Sequence, residues 1–242
     1  MTNLYQQILQ AKQSGKKLLA ILLDPDKIDI NQILTTIVQI NQSPATHIFV
    51  GGSSGDVSNI DSIIVEIKNN TRLPVVLFPG NPSQISSNAD AILFLTLISG
   101  RNPDFLIEHQ VKAAPILKKS TLEIISTGYI LIESGNATAV SSVSKTIPLP
   151  RHNSNIASDT AIAGEFLGNK LIYLEAGSGA KLPVPLETIN LVAKNISVPL
   201  IVGGGINTFE GIKEAYSAGA DLVVIGTAFE NNIHFFTHFT HD

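Results

Sequence analysis

Glu175 closes the apolar run Leu171 to Leu174 and opens onto Gly177-Ser178-Gly179, and Tyr173 stands two residues before it. Residues two apart on a strand share a face, so Tyr173 and Glu175 point the same way, beside a loop whose backbone N–H groups no side chain covers. A carboxylate there can hold a hydroxyl; the other reading is a buried Glu satisfied by backbone donors. Asp24 ends a second apolar run, Leu18 to Leu23, and begins Asp24-Pro25-Asp26-Lys27. With the Ser53 hydroxyl at the end of the next run it offers hard oxygens suited to Mg²⁺, which takes one or two carboxylates plus waters and substrate phosphates. Asp24 as a plain turn and capping residue stays equally open. Gly203-Gly204-Gly205 and Gly226-Thr227 end two further runs. Bare N–H groups at such ends bind anions. The chemistry these residues suggest starts from a phosphate.

The runs carrying these residues alternate with helical patterns. Pro199 to Thr227 reads as a strand, an amphipathic helix and a strand, with Asn207 and Glu210 placed as a capping box. Strands apolar on consecutive residues suit a parallel sheet buried on both faces. The same rhythm places strands at 18–23, 47–50, 75–78, 91–98, 123–133, 171–174, 200–202 and 222–225. Leu4, Ile8 and Ala11 predict a helix over 3–14 that forms a lid before the first strand, stopped by Gly15. Asp29 is placed to cap a helix burying Ile30, Ile33, Leu34, Ile37 and Ile40; another helix spans Val57 to Lys68 and leads to the third strand. Asn102 and Pro103 start the helix after the fourth strand. Helices are also expected over 161–167, 186–195 and 229–239. Between Pro79 and Ala91 helical periodicity fails, so one helix is short or missing and the side there is open. Ser134 to Asn155 reads as a long loop at an active site or interface.

Eight strands at this spacing point to an α/β fold, a (β/α)8 TIM barrel with a modified or missing third helix, over residues 1–242 as one domain. An open doubly wound sheet is the alternative. Hydrophobic residues make up 44% and charged residues 15% of 242 residues, ample for one large core. A net charge of −4, with 16 basic residues scattered, argues against nucleic acid as a partner. The chain has no cysteine, and its longest apolar run, Ala91 to Ile98, is far short of the roughly 18 residues that span a bilayer. A cytoplasmic location is expected, with peripheral membrane contact left open. His234 and His238 lie four apart but lack a carboxylate at ligand spacing, and no lysine lies inside a strand to serve as a Schiff-base residue.

Leu23-Asp24-Pro25-Asp26-Lys27, Gly51-Gly52-Ser53, Phe78-Pro79-Gly80, Gly128-Tyr129-Ile130-Leu131, Tyr173-Leu174-Glu175-Ala176-Gly177-Ser178-Gly179, Gly203-Gly204-Gly205-Ile206 and Gly226-Thr227 follow one another in this order. With them the chain resembles, over nearly its whole length, the geranylgeranylglyceryl phosphate synthases. Ser99-Gly100-Arg101-Asn102-Pro103 is similar to the second group, with archaeal and Bacteroidetes-type members. The resemblance implies transfer of a prenyl chain from geranylgeranyl diphosphate to the 3-hydroxyl of sn-glycerol 1-phosphate, with Mg²⁺ as cofactor, in a homo-oligomer (dimer or hexamer). It implies the metal on Asp24 and Ser53, and the glycerol phosphate on Tyr173, Leu174, Glu175, Ala176, Gly177, Ser178, Gly179, Gly204, Gly205, Gly226 and Thr227. Catalysis then falls on Glu175 as base, with Asp24 and Tyr173, and Arg101 is the candidate for the leaving diphosphate. The chain departs from some members at Leu22, where they carry lysine, and at Thr227, where they carry asparagine. Rival readings are a sugar-phosphate isomerase or lyase barrel and a non-catalytic phosphate-binding barrel.

Overall fold

The computed structural model describes residues 3–28, 32–52 and 59–237. Eight parallel strands close into a barrel in chain order: β1 (Leu18–Leu23), β2 (His47–Val50), β3 (Val75–Leu77), β4 (Ala91–Leu97), β5 (Glu123–Leu131), β6 (Leu171–Glu175), β7 (Leu200–Gly203) and β8 (Leu222–Ile225). β1 pairs with both β2 and β8, which excludes the open sheet. Strand alternation splits the apolar residues into two layers. Leu171, Tyr173, Ile201, Leu222 and Val224 fill the barrel, while Ile172, Leu174, Val202, Val223 and Ile225 pack outward against helices.

Helix α1 (Leu4–Ser14) is capped by Asn3 and stopped by Gly15 at φ 73°. Its first N–H groups, on Leu4 and Tyr5, donate to the Glu123 carboxylate at the start of β5, and Lys12 pairs with Asp221 before β8 at 3.0 Å. The expected lid therefore closes the N-terminal end of the barrel, where Leu4, Ile8 and Ala11 join the interior cluster. The opposite end is left for the site.

Outside the barrel lie α2 (Ile33–Asn41), α3 (Ile60–Asn70), α4 (His109–Leu117), α5 (Ala139–Ser144), α6 (Ser154–Phe166), α7 (Leu186–Asn195), α8 (Phe209–Ala218) and α9 (Thr227–Asn231). Between β3 and β4 there is only a 3-10 turn, Pro82–Gln84, whose first residue follows the capping Asn81. Proline at 79 and 82 and a serine-rich stretch cannot carry a helix, so the outer face of β4 stays thinly covered.

Local differences from the sequence pattern have local causes. α2 buries Ile33, Ile37 and Ile40, but Leu34 is half exposed and the cap position is Gln32; Asp29, Ile30 and Val57 lie outside the described residues. The cap of α8 is Thr208, which accepts from Gly211 N–H, one residue beyond the expected Asn207. Asn102 does cap its helix, accepting from Asp104 N–H, and a π-turn over Asp104–Glu108 precedes α4. The long 134–155 connection contains α5, built on a Thr138/Ser141 capping box and too short to show periodicity. α6 begins at Ser154, not at 161, because Asn153 caps it. The last helix ends at Asn231; Phe235 and Phe236 then fold back onto Phe209 with ring centroids 4.9 and 6.0 Å away, and Phe239 is not among the described residues. No helix among the described residues is long and apolar enough to cross a membrane.

Candidate active site

A cavity of about 530 Å³ opens at the C-terminal ends of the strands, the face where (β/α)8 barrels carry their function. It joins three regions. Gly177, Ser178 and Gly179 after β6, Gly204 and Gly205 after β7, and Gly226 and Thr227 after β8 line one side. Gly204 sits at φ 82°, and a Cβ there would stand 2.3 Å from Glu175 Oε1 and 2.6 Å from the Gly177 nitrogen. Only glycine fits that position.

Glu175 and Tyr173 face this cradle from β6, as their spacing predicts. Glu175 is 5% exposed, and its Oε1 accepts the Gly177 N–H at 2.6 Å. Burial raises its carboxyl from 4.5 to about 7, against the pull of the Gly177 N–H and the nearby Tyr173 and Tyr129 hydroxyls. It is thus poised to exchange a proton near neutrality. Burial, with Glu175 adding to it, likewise raises the Tyr173 and Tyr129 hydroxyls, which stay protonated donors. The Tyr173 hydroxyl is fully buried and makes no hydrogen bond of good geometry, although it lies near enough to Glu175 to favour the charged carboxylate. A buried donor without a partner at a cavity wall is a place for a ligand oxygen.

The second region surrounds Asp24. Its Oδ1 accepts the Asp26 N–H at 3.1 Å, and Lys27 Nζ lies 3.2 Å from Oδ2. Asp24 is therefore both a turn residue and a cavity wall. A Cβ on Gly52 would come within 2.6 Å of Asp24 Oδ1, so the neighbouring strand end must be bare. Lys27 also reaches Glu230 of α9 at 3.0 Å. Ser53 lies outside the described residues.

The third region is apolar. Phe78 stacks on Tyr173 with centroids 5.2 Å apart and planes at 15°, and Tyr129 meets both rings edge-on at 5.3 and 5.8 Å. Beyond this cluster the same cavity is lined by Ile85, Ile92, Phe94, Phe105, Ala113 and Val140. The missing helix uncovers this channel, and α5 supplies part of it.

Three residues expected at the site are not there as side chains. Leu174 and Ala176 point outward into the helix layer, since strand alternation turns the neighbours of Tyr173 and Glu175 away from the mouth. Arg101 does not line the cavity; its guanidinium donates to the carbonyls of Gly100 at 2.6 Å and Ile98 at 3.2 Å. Leu22 does line it, next to Gly226, so no lysine faces the glycine cradle there. Phe78 and Lys27, which stand in the quoted motifs without an assigned role, and Glu230, which stands in none, also line the cavity. Strand-end position would have found Phe78 and the turn after Asp24 would have found Lys27; nothing in the sequence marks Glu230.

Fold and cavity define a class: a (β/α)8 barrel with a glycine cradle and a carboxylate at its C-terminal mouth, opening sideways into an apolar channel where the helix between β3 and β4 is missing. The chain belongs to the PcrB family, which it matches over residues 11–240. A protein of Flavobacterium johnsoniae named geranylgeranylglyceryl phosphate synthase is 67% identical over 236 residues, 98% of this chain and 97% of its own. One of the same name from Pyrococcus abyssi is 43% identical over 221 residues, 90% of this chain and 86% of its own. A crystal structure of (S)-3-O-geranylgeranylglyceryl phosphate synthase from Thermoplasma acidophilum in complex with the substrate sn-glycerol-1-phosphate superposes with a TM-score of 0.92 at 33% identity, covering 98% of this chain and 95% of that one. The tryptophan synthase α-subunit of Pyrococcus furiosus, at 14% identity and a TM-score of 0.59, shares the barrel alone.

Proposed function

We propose that this protein transfers a geranylgeranyl or similar long prenyl group from its diphosphate to the 3-hydroxyl of sn-glycerol 1-phosphate, yielding an ether-lipid precursor. One observation carries the reading: a single cavity joins a glycine cradle, a buried carboxylate and an apolar channel. A small polar acceptor and a long apolar donor need that combination. A sugar-phosphate isomerase has no use for the channel, and a binding module has none for a carboxylate whose proton affinity is tuned to neutrality.

The acceptor phosphate is read onto the backbone N–H groups of Gly179, Gly204, Gly205, Gly226 and Thr227, the Gly177 N–H being engaged by Glu175, with the Tyr173 hydroxyl as a side-chain donor. Glu175 orients the glycerol 3-hydroxyl and takes its proton as the oxygen bonds to C1 of the prenyl chain. The C1–O bond to the diphosphate breaks, and its electron pair leaves with pyrophosphate. Positive charge develops at the allylic carbon between the two events. The half-buried ring of Phe78, backed by Tyr173 and Tyr129, is the aromatic surface at the cavity wall that would favour such a charge. The apolar channel holds the tail and keeps water from the reacting carbon.

A divalent cation is read onto Asp24 alone among the described carboxylates: Glu175 and Glu230 also line the cavity but do not gather with it into a metal-binding group, and Lys27 is the single Lys or Arg lining it among the described residues. Asp24, with Ser53, would hold Mg²⁺, which when bound supplies charge neutralisation to the leaving diphosphate. The test is to follow pyrophosphate release from both substrates across Mg²⁺ concentrations in wild type and Asp24→Asn. The reading expects Mg²⁺-dependent turnover that falls by about a hundredfold or more in the variant. Equal turnover would leave Asp24 a turn residue.

A further inference from the structure

We infer that Lys27 is the side-chain cation that receives the leaving diphosphate, and that Glu230 positions it. The inference rests on the prenyl-transfer reading. As the C1–O bond breaks, negative charge accumulates on the diphosphate, and a cation already at the wall lowers the barrier without reorganising. Arg101 cannot serve, since it binds the backbone carbonyls of its own loop outside the cavity. Lys27 is the one Lys or Arg lining the cavity among the described residues, and it stands on the side of Asp24.

Its contacts set out how it acts. The Lys27 N–H donates to the Asp24 carbonyl at 3.0 Å, so the turn brings the side chain back beside the Asp24 carboxylate. Nζ then bridges Asp24 Oδ2 at 3.2 Å and Glu230 Oε2 at 3.0 Å. An ammonium between two carboxylates holds the charge that a divalent ion would bring to Asp24. With a divalent ion held by Asp24, Lys27 would be free to turn toward the diphosphate, and Glu230 would keep the ammonium at the mouth. Three rotatable donors on a half-exposed four-carbon stem can turn from a carboxylate to a phosphate oxygen without moving the backbone.

The experiment is calorimetric titration of the full-length wild type, Lys27→Met, Lys27→Arg, Glu230→Gln and the Lys27→Met/Glu230→Gln pair. Each is titrated with inorganic pyrophosphate in the presence of Mg²⁺, with sn-glycerol 1-phosphate, and with Mg²⁺ alone. One charge-assisted contact predicts pyrophosphate binding about tenfold or more weaker in Lys27→Met. Glycerol phosphate binding should stay within about twofold, and Lys27→Arg should recover most of the loss. Mg²⁺ alone should bind Lys27→Met more tightly than wild type, because nothing then competes for Asp24. Glu230→Gln should lose less, and the double variant no more than Lys27→Met, since Glu230 acts through Lys27. A bridge that merely ties two loops together predicts a lower melting temperature with unchanged pyrophosphate affinity, and that result overturns the inference. Wild type that forms the prenyl ether while Lys27→Met binds pyrophosphate normally refutes the role of Lys27 alone. Wild type that neither binds pyrophosphate nor forms the ether refutes the prenyl-transfer reading, and this inference with it.

Discussion

Replacing Glu175 by Gln should stabilise the protein above neutral pH while removing its turnover, and the pH dependence of the gain identifies its cause. The carboxyl is raised from 4.5 to about 7 by burial. At 1.36 kcal/mol per unit, this shift of about 2.5 units corresponds to about 3 kcal/mol. The sign follows from proton uptake: between pH 4.5 and 7 the folded state holds a proton that the unfolded chain has released. Glu175 therefore favours the fold fully below pH 4.5 and loses that contribution as pH rises through about 7. Gln keeps the shape and an acceptor for the Gly177 N–H but has no proton to lose. The variant and wild type should melt close together near pH 5, and the variant should gain about 6–12 °C by pH 8, at about 2–4 °C per kcal/mol for a chain of this size. Its kcat should fall about 10²-fold or more, and wild-type kcat/KM should rise with pH and level off above about 7. Thermal melts across this pH range, with steady-state kinetics on the same preparations, decide the matter. A melting difference independent of pH would refute the buried, proton-holding carboxyl, and full turnover in the variant would refute the base.

Three other outcomes follow from the same geometry. Tyr173→Phe removes a buried hydroxyl that has no partner, so the melting temperature should hold or rise while the acceptor KM increases about tenfold; an unchanged KM would remove the hydroxyl from the acceptor site. Gly226→Ala adds a Cβ that would meet only Leu22, at 3.5 Å or more, whereas Gly204→Val would drive a side chain into Glu175 and the Gly177 backbone at positive φ. Acceptor titrations with thermal melts should find the first folded but weak in acceptor binding and the second destabilised; normal acceptor binding by Gly226→Ala would move the phosphate elsewhere. Ala113→Phe narrows the apolar channel, so competition between prenyl diphosphates of different length should shift toward shorter chains, and unchanged selectivity would mean that the tail runs along another path.

The barrel was readable because most of its strands are continuous apolar runs with glycine or proline close behind them, and that pattern depends on no distant partner. Tyr173 and Glu175 were readable for the same reason, since strand alternation fixes their common face. Alternation also rules out Leu174 and Ala176, so the same rule, applied position by position, separates side-chain from backbone contributors. The gap after Pro79 announced itself by lost periodicity, and the apolar channel lies there. Arg101 misled because a strand-end position says nothing about where a long side chain turns, and here neighbouring carbonyls capture it. α5 escaped notice because six residues rich in serine carry no period. Glu230 was invisible because its partner Lys27 lies 203 residues away.

In the proposed reaction the glycerol 3-hydroxyl attacks C1 of the prenyl chain and pyrophosphate leaves. Mass spectrometry of the product formed from sn-glycerol 1-phosphate carrying ¹⁸O at its 3-hydroxyl, with Mg²⁺ and geranylgeranyl diphosphate, reads this bond directly. The expected product is a prenyl ether that retains the full label, with an equimolar amount of unlabelled pyrophosphate. An ether without the label, or free prenyl alcohol with the labelled acceptor left untouched, would contradict it.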